Sequence, residues 1–236
     1  MLVMMVRTRL EVGSVRQRRF VGDASHELRS PLATIRAAHE IADLHPNTLD
    51  WGETNRDVLA ELDRLDRLVA DLLPLARADE HGLRLRRVDV DLEDLLSQEA
   101  ERLRKLGGLD VVSLAPPVRI KADPVQLGRV LRNLVDNAAR HAENWVELRL
   151  KVREDIVEIE IEDDGPGIAQ ADRERVFERF VRLDESRDRA QGGTGLGLAI
   201  AREISTAHGG SLVATTGVRG SLFVLSLPYD GVTPTL

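Results

Sequence analysis

Four stretches of this sequence place reactive or ligand-binding side chains at spacings that suit chemistry. The first is Ser25-His26-Glu27-Leu28-Arg29-Ser30-Pro31. A neutral imidazole keeps a free lone pair near neutral pH, so an exposed histidine is a usable nucleophile. An adjacent carboxylate can accept or orient its proton. Taken alone, His26 reads equally as an ordinary histidine on a charged helix surface, and the chain holds 6 histidines in all. The second stretch runs from Asn133 to His141. Asn133 and Asn137 are four apart and share a helix face that Arg140 continues. Amide oxygens ligate a hard cation and a guanidinium pairs with phosphate, so this face suits a Mg-phosphate group. A polar rim on an amphipathic helix is the plainer alternative, although asparagine is a poor helix former.

The third stretch is Asp163-Asp164-Gly165-Pro166-Gly167, directly after an apolar strand. Glycines there let backbone approach a flat ligand, and a carboxylate at the strand end can accept from an exocyclic amine such as that of adenine. A tight turn would use the same residues. The fourth is Gly192-Gly193-Thr194-Gly195-Leu196-Gly197-Leu198, which opens a helix. Backbone N–H groups at a helix start bind phosphate. The loop follows a long charged segment and not a strand, so it is no dinucleotide fingerprint, and no Lys-Ser/Thr pair follows to make a phosphate-binding P-loop.

The elements that must carry these stretches follow from hydrophobic spacing. Val21, Ser25, Leu28, Leu32, Ile35, His39 and Ala42 recur at intervals of four and three. Val58, Leu62, Leu65, Val69, Leu72 and Ala76 do the same. These are heptad seams on two helices joined by the turn-rich residues 45–52, which predicts an antiparallel hairpin. At 100° per residue, His26 lies ~160° from Leu28 around the helix and faces away from the seam. His39 falls on the seam and reads as a packed histidine. One hairpin cannot bury both seams, so pairing with a second copy into a four-helix bundle is expected. Pro74 should kink or end the second helix early, and Asp79 to Arg87 reads as a linker.

Beyond it the pattern changes. A helix is expected over Asp91 to Leu106, and β-like runs over Asp110–Leu114 and Val118–Lys121. Asp123-Pro124-Val125-Gln126 is a helix start with Asp as cap and Pro in the first turn. Leu127, Val130, Leu131, Leu134 and Ala138 form the stripe of that helix. Val146 to Val152 and Val157 to Ile161 alternate as half-buried strands. Ile168 to Gly193 is a long charged connection holding Phe177 and Phe180. A helix from about Leu196 to His208, ended by Gly209-Gly210, and strands at Leu212–Thr215 and Ser221–Leu227 close the chain. The second half is expected to be an α/β sandwich, a mixed sheet with helices on one face.

Composition narrows the function classes. Of 236 residues, 33 are Lys or Arg and 40 Asp or Glu, a net charge of -7 that leaves no basic excess for bulk nucleic-acid binding. The absence of cysteine removes disulfides, Cys-ligated zinc, iron–sulfur clusters and thiol catalysis. Aromatics at 3% favour aliphatic helical cores over an aromatic-rich sandwich. Leu2 to Val6 is too short an apolar run to span a membrane.

In this order and spacing, the four stretches resemble the cytoplasmic catalytic portion of bacterial two-component sensor histidine kinases. The likeness extends from about Arg18 onward: an H box at His26 to Pro31, an N box at Asn133 to His141, a G1 box at Asp163 to Gly167, an F box at Phe177-Glu178-Arg179-Phe180, and a G2 box at Gly193 to Gly197. The resemblance implies an α+β chain of two domains. A helical hairpin would form a dimeric four-helix bundle, followed by an α/β sandwich of the gyrase/histidine-kinase ATP-binding type. The implied boundaries are 1–17 for a signalling-helix remnant, 18–80 for dimerisation and phosphotransfer, 81–87 for a linker, 88–230 for the catalytic domain and 231–236 for a tail. His26 would accept phosphate, with Glu27 as its general base. Ser30, where the family often has Thr or Asn, would serve dephosphorylation of the partner. Asn137 would ligate Mg²⁺, with Asn133 and Arg140 near the phosphates and His141 near the nucleotide. Asp163 would read the adenine amine between Gly165 and Gly167. Gly193, Thr194, Gly195, Leu196 and Gly197 would meet the phosphates and hinge a lid over Ile168–Gly193, anchored by Phe177 and Phe180.

The expected activity is phosphorylation of His26 by ATP–Mg²⁺ and transfer to an Asp of a response regulator, docked over residues 29–45 and 53–60. The expected assembly is a homodimer without nucleic acid. The expected location is cytoplasmic for this chain and the cell membrane for the full-length protein, attached through an N-terminal anchor outside this chain. A gyrase-type ATPase would need a carboxylate where Asn133 stands, since an amide cannot activate water. A nucleotide-binding pseudokinase is the non-enzymatic rival.

Overall fold

The computed structural model describes residues 2–44, 50–183 and 193–230, with side chains described from residue 21 onward except at 74 and 77–81. The chain divides into two compact units, Met1–Pro74 and Leu75–Leu236.

Two helices, α1 (Leu2–Leu44) and α2 (Trp51–His81), form the expected hairpin. Asp50 starts α2: its Oδ1 accepts from the Gly52 and Glu53 N–H groups at 2.8 and 3.1 Å, which offsets two of the unpaired donors of a helix start. Of the kink or early end expected at Pro74, the end does not occur: α2 continues to His81. A proline removes one backbone bond, and flanking Leu72, Leu73, Leu75 and Ala76 are strong helix formers that carry the ladder past it.

The seams are wider than the heptad reading. Ala42 is buried and Leu28 and Ile35 are half-buried, as expected, but Pro31 and Leu68 are buried off the seams. Leu32, His39, Leu62 and Val69, all seam positions, are exposed. A bundle helix faces two neighbours and needs an apolar stripe broader than two positions per heptad. Within one hairpin each helix meets a single neighbour, so only one edge of the stripe is covered. The hairpin turn at residues 45–49 lies outside the described residues.

The second unit begins with β1 (Val88–Asp91), α3 (Leu92–Leu106), β2 (Asp110–Leu114), β3 (Arg119–Ala122) and α4 (Pro124–His141). It continues through β4 (Trp145–Arg153), β5 (Ile156–Asp163), 3₁₀ turns at Gln170–Asp172 and Arg175–Phe177, α5 (Gly197–Ala207), β6 (Ser211–Thr216) and β7 (Ser221–Pro228). The main sheet has the order β2-β4-β5-β7-β6. Its β2–β4 pair is parallel and the other pairs are antiparallel. The mixed sheet is therefore as expected, except that β3 leaves it to pair antiparallel with β1. That strand, Val88-Asp89-Val90-Asp91, alternates but is too short to stand out in the sequence.

Alternation sets the core. Val146, Leu148 and Leu150 of β4 and Val157, Ile159 and Ile161 of β5 are buried, as are Leu96 of α3, Leu127, Leu131 and Leu134 of α4, and Ile200 of α5. Each such side chain contributes roughly 1.5–3 kcal/mol on leaving water. The other face of β4 and β5 is charged: Arg149 pairs with Glu147 at 2.7 Å, Glu160 at 2.8 Å and Glu162 at 2.5 Å. Among the described residues, no helix is long and apolar enough to cross a membrane.

Candidate functional site

In the first unit, His26 and Ser30 are exposed on α1. The imidazole thus lies open to solvent, away from buried Pro31 and Ala42. Glu27, beside it in sequence, is half-buried and sits 3.6 Å from Arg64 of α2.

In the second unit, the site is built on α4, the end of β5 and the start of α5. Asp123 caps α4: its Oδ1 accepts from the Val125 and Gln126 N–H groups at 3.1 Å each, and its Oδ2 accepts from the Arg86 N–H at 2.9 Å. The buried His208 ring accepts the Asp123 N–H on Nε2 at 3.1 Å. Its Nδ1 lies 2.9 Å from the Ile204 carbonyl, which can only accept, so Nδ1 carries the proton. The apolar side of α4 goes to the core, and Asn133, Asn137, Arg140 and His141 lie half-buried beside it. The Asn133 Nδ2 donates to the Gly197 carbonyl at 3.0 Å, tying α4 to the glycine loop that opens α5. Asn137 makes no side-chain hydrogen bond and Arg140 no ion pair among the described residues. An unpaired, half-buried guanidinium beside a free carboxamide suits an anion with its cation.

Asp163 ends β5 with 0% exposure. Its Oδ1 accepts from the Gly165 N–H at 3.0 Å and the Ser221 N–H at 3.4 Å. Its Oδ2 is buried with no hydrogen-bond partner among the described residues. Burial pushes this carboxyl up from its ordinary value, partly offset by those two N–H groups. A buried acceptor left open is costly to a fold and wants a donor from elsewhere. The wall around it is tight. A Cβ on Gly165 would lie 2.2 Å from the His141 carbonyl oxygen, and one on Gly220 2.3 Å from the Asp163 carbonyl oxygen.

Asp164, next in sequence, faces elsewhere. Its carboxylate accepts from the backbone N–H groups of Glu143, Asn144 and Trp145 and from the Asn144 amide. Some burial opposes the charge, but those donors hold the carboxyl well below its usual range.

The glycine loop is also anchored. Gly195 has φ 68°, and a Cβ there would lie 2.9 Å from the Phe180 Cα. The Phe180 N–H donates to the Gly195 carbonyl at 2.8 Å. Thr194 Oγ1 accepts from the Leu196 N–H at 3.3 Å, and the Leu196 side chain is fully buried, so only its backbone can face a ligand. Phe177 is buried edge-on against Phe223, with ring centroids 6.2 Å apart. The Arg202 guanidinium lies 5.0 Å from the Phe177 ring centre and pairs with Glu174 at 2.9 Å. Gly192 and residues 184–191 of the expected lid lie outside the described residues, as does the tail at 231–236.

The sequence reading missed Gly220 and Ser221, which wall and hydrogen-bond Asp163. Their signal was the Gly217-Val218-Arg219-Gly220 turn just before a strand. It also missed Arg202, which carries no motif at all.

Residues 16–81 match the His Kinase A (phospho-acceptor) domain, and residues 122–231 match the Histidine kinase-, DNA gyrase B-, and HSP90-like ATPase family. The chain is 39% identical over 234 residues to the sensor histidine kinase MtrB of Mycolicibacterium paratuberculosis, covering 94% of this chain and 41% of that protein. The chain thus spans about two fifths to a half of the length of the curated relatives it matches. The solved mycobacterial sensor histidine kinase MprB aligns at 30% identity with a TM-score of 0.54, over 60% of this chain and 97% of that one. The histidine kinase ThkA, solved with response regulator protein TrrA, shares the fold at 23% identity and a TM-score of 0.71, over 95% of this chain and 64% of that one.

Proposed function

This chain belongs to the sensor histidine kinase family, and on that premise we propose that it is an ATP-dependent protein-histidine kinase that phosphorylates its own His26. The observation that carries the reading is the open Oδ2 of Asp163, a buried acceptor with no partner among the described residues. The exocyclic amine of adenine supplies one. The close glycine wall supports a flat ring beside it.

The geometry supports the following roles. Asn133, already tied to the Gly197 carbonyl, and Arg140 hold the phosphate end, with backbone N–H groups of Gly193, Thr194, Gly195 and Gly197 as further donors, joined by that of Leu196 once it leaves Thr194 Oγ1. His141 borders the base through its carbonyl beside Gly165. The donor set fits Mg²⁺, which keeps several waters and binds chiefly through phosphates, so the Asn137 oxygen can serve as its protein ligand. When bound, the ion neutralises charge on the phosphates. The exposed His26 presents a ring nitrogen whose lone pair attacks the γ-phosphorus in line. A new N–P bond forms, the bond to the bridging oxygen breaks, and ADP leaves with that electron pair. The ring proton passes to Glu27. Positioning and charge stabilisation supply most of the acceleration.

The phosphoryl group then goes to an Asp of a response regulator receiver domain. The exposed Ser30 hydroxyl, one turn from His26, can orient a water that hydrolyses the aspartyl phosphate of that partner, releasing inorganic phosphate. The ThkA–TrrA complex supports a regulator seated on such a kinase. Exposed Val21, Leu32, Leu62 and Val69 on the hairpin support homodimerisation, since a second hairpin would cover them. The two-domain division at 18–80 and 88–230, with a linker at 81–87, is supported by the helix end at His81 and the first strand at Val88. The test is labelling with γ-³²P ATP and Mg²⁺. The wild type should carry acid-labile label, and His26→Gln should carry none. Label that persists in the variant refutes the acceptor, and steady ATP hydrolysis indifferent to His26 makes the chain an ATPase instead.

A further inference from the structure

Arg64 stands on α2 with only 14% of its side chain exposed, between two carboxylates. Its Nη2 lies 3.6 Å from Glu27 Oε2 on α1, and its Nη1 lies 3.6 Å from Glu61 Oε2, one turn earlier on α2. Both contacts are ion pairs just beyond hydrogen-bonding distance. Glu61 Oε2 is buried and makes no hydrogen bond among the described residues. An arginine whose task is to lock a hairpin would close on one carboxylate with two short parallel bonds. This one is held loosely between two acids, one of them next in sequence to His26.

We propose that Arg64 is a positioning residue for the histidine phosphorylation described above, on which this inference rests. In the resting hairpin the guanidinium holds the Glu27 carboxylate on the α2 side of His26. When the imidazole proton moves to Glu27, that carboxylate becomes neutral and its attraction for Arg64 falls away. Arg64 then closes on Glu61, whose buried oxygen gains the donor it lacks. The cation keeps a carboxylate partner before and after the transfer, so the proton moves without leaving a charge stranded between the helices. Only a proton changes hands, from the ring nitrogen to Glu27.

The experiment is single-turnover phosphorylation of the full chain with ATP–Mg²⁺, over a range of ATP, for wild type, R64Q, R64K, E61Q, E27Q and E27Q/R64Q. R64Q should lower the maximal labelling rate about tenfold, part of the roughly 10²–10⁴ that a positioned general base supplies. The ATP concentration for half-maximal rate should not move. R64K should recover most of the rate. E27Q and E27Q/R64Q should label equally slowly, because Arg64 acts through Glu27. E61Q keeps the arginine and should slow labelling several-fold with the same ATP dependence, which tests the idea even if R64Q weakens the hairpin. The proposal is overturned if R64Q or E61Q labels at the wild-type rate, or if R64Q slows E27Q by the factor it imposes on wild type. A change confined to ATP dependence also overturns it. A wild-type chain that takes no label on His26 instead removes the kinase reading, and this inference with it.

Discussion

Replacing Asp163 by Asn separates a ligand-binding carboxylate from a structural one. Asn keeps an oxygen for the Gly165 and Ser221 N–H groups, now 3.0 and 3.4 Å away, and puts an NH₂ where the open Oδ2 stands. Toward adenine, an acceptor becomes a donor facing a donor. A hydrogen bond to a charged group contributes about 1.5–3 kcal/mol, and each 1.4 kcal/mol is roughly tenfold in affinity. The ATP dissociation constant should therefore rise about 10- to 150-fold. Stability should move the other way. Burial raises the folded-state pKa of Asp163, with the two N–H groups partly opposing it. Folding then favours the protonated form, and the stability linked to it is complete below the unfolded value, about 3.9, and lost as pH rises through the folded one. Asn does not titrate. The nucleotide-free variant should melt no lower than wild type near neutral pH, and its advantage should shrink as the solution is acidified toward pH 4. Titration calorimetry with ATP–Mg²⁺ and thermal melts between pH 4.5 and 7.5 give both numbers. A variant that binds ATP as wild type does but melts lower would refute the reasoning, for Asp163 would then be a structural residue.

Gly195→Ala should weaken ATP binding and lower the melting temperature together. It places a Cβ at φ 68° and 2.9 Å from the Phe180 Cα, which costs about 1–3 kcal/mol; calorimetry and thermal melts report it, and unchanged binding would disconnect this loop from the nucleotide. Asp164→Ala removes the acceptor shared by the Glu143, Asn144 and Trp145 N–H groups and should cost at least as much as a lost helix cap, about 1 kcal/mol, in urea unfolding at pH 7. Because those donors depress its carboxyl against the opposing effect of burial, the contribution of Asp164 is present above the unfolded value and lost as pH falls through the folded one. The gap between wild type and variant should therefore narrow below about pH 4.

Local order was legible because one element's face is written in its own spacing. The alternation of Val157, Ile159 and Ile161 places Asp163 at the end of a half-buried strand. The Asp123-Pro124 start and the Leu127–Ala138 stripe put Asn133 and Asn137 on one side of a helix, and the order of the boxes identified the family. Relations between elements were not legible, since no period links residues that meet only through packing. Val21 to Ala42 predicts a helical seam, yet Pro31 and Leu68 are buried off the seams while Leu32 stays exposed, because a broad stripe is divided between the neighbours a helix has. The run at Arg119–Ala122 reads as a strand, but its pairing with β1 and not the main sheet is a matter of tertiary arrangement.

The amino-acid order by itself determined which side chains can accept a phosphoryl group, ligate a cation or receive an amine, and on which helix, strand or loop each resides. Only the folded chain decided which acceptors stay unfilled. Asp163 keeps one oxygen open because Gly220, far along the chain, closes in on it while the neighbouring Ser221 N–H reaches only the other oxygen. Glu27 lies by Arg64 because the hairpin brings α2 back alongside α1. Residue type is local, whereas burial and partnership are set by what the rest of the chain packs against.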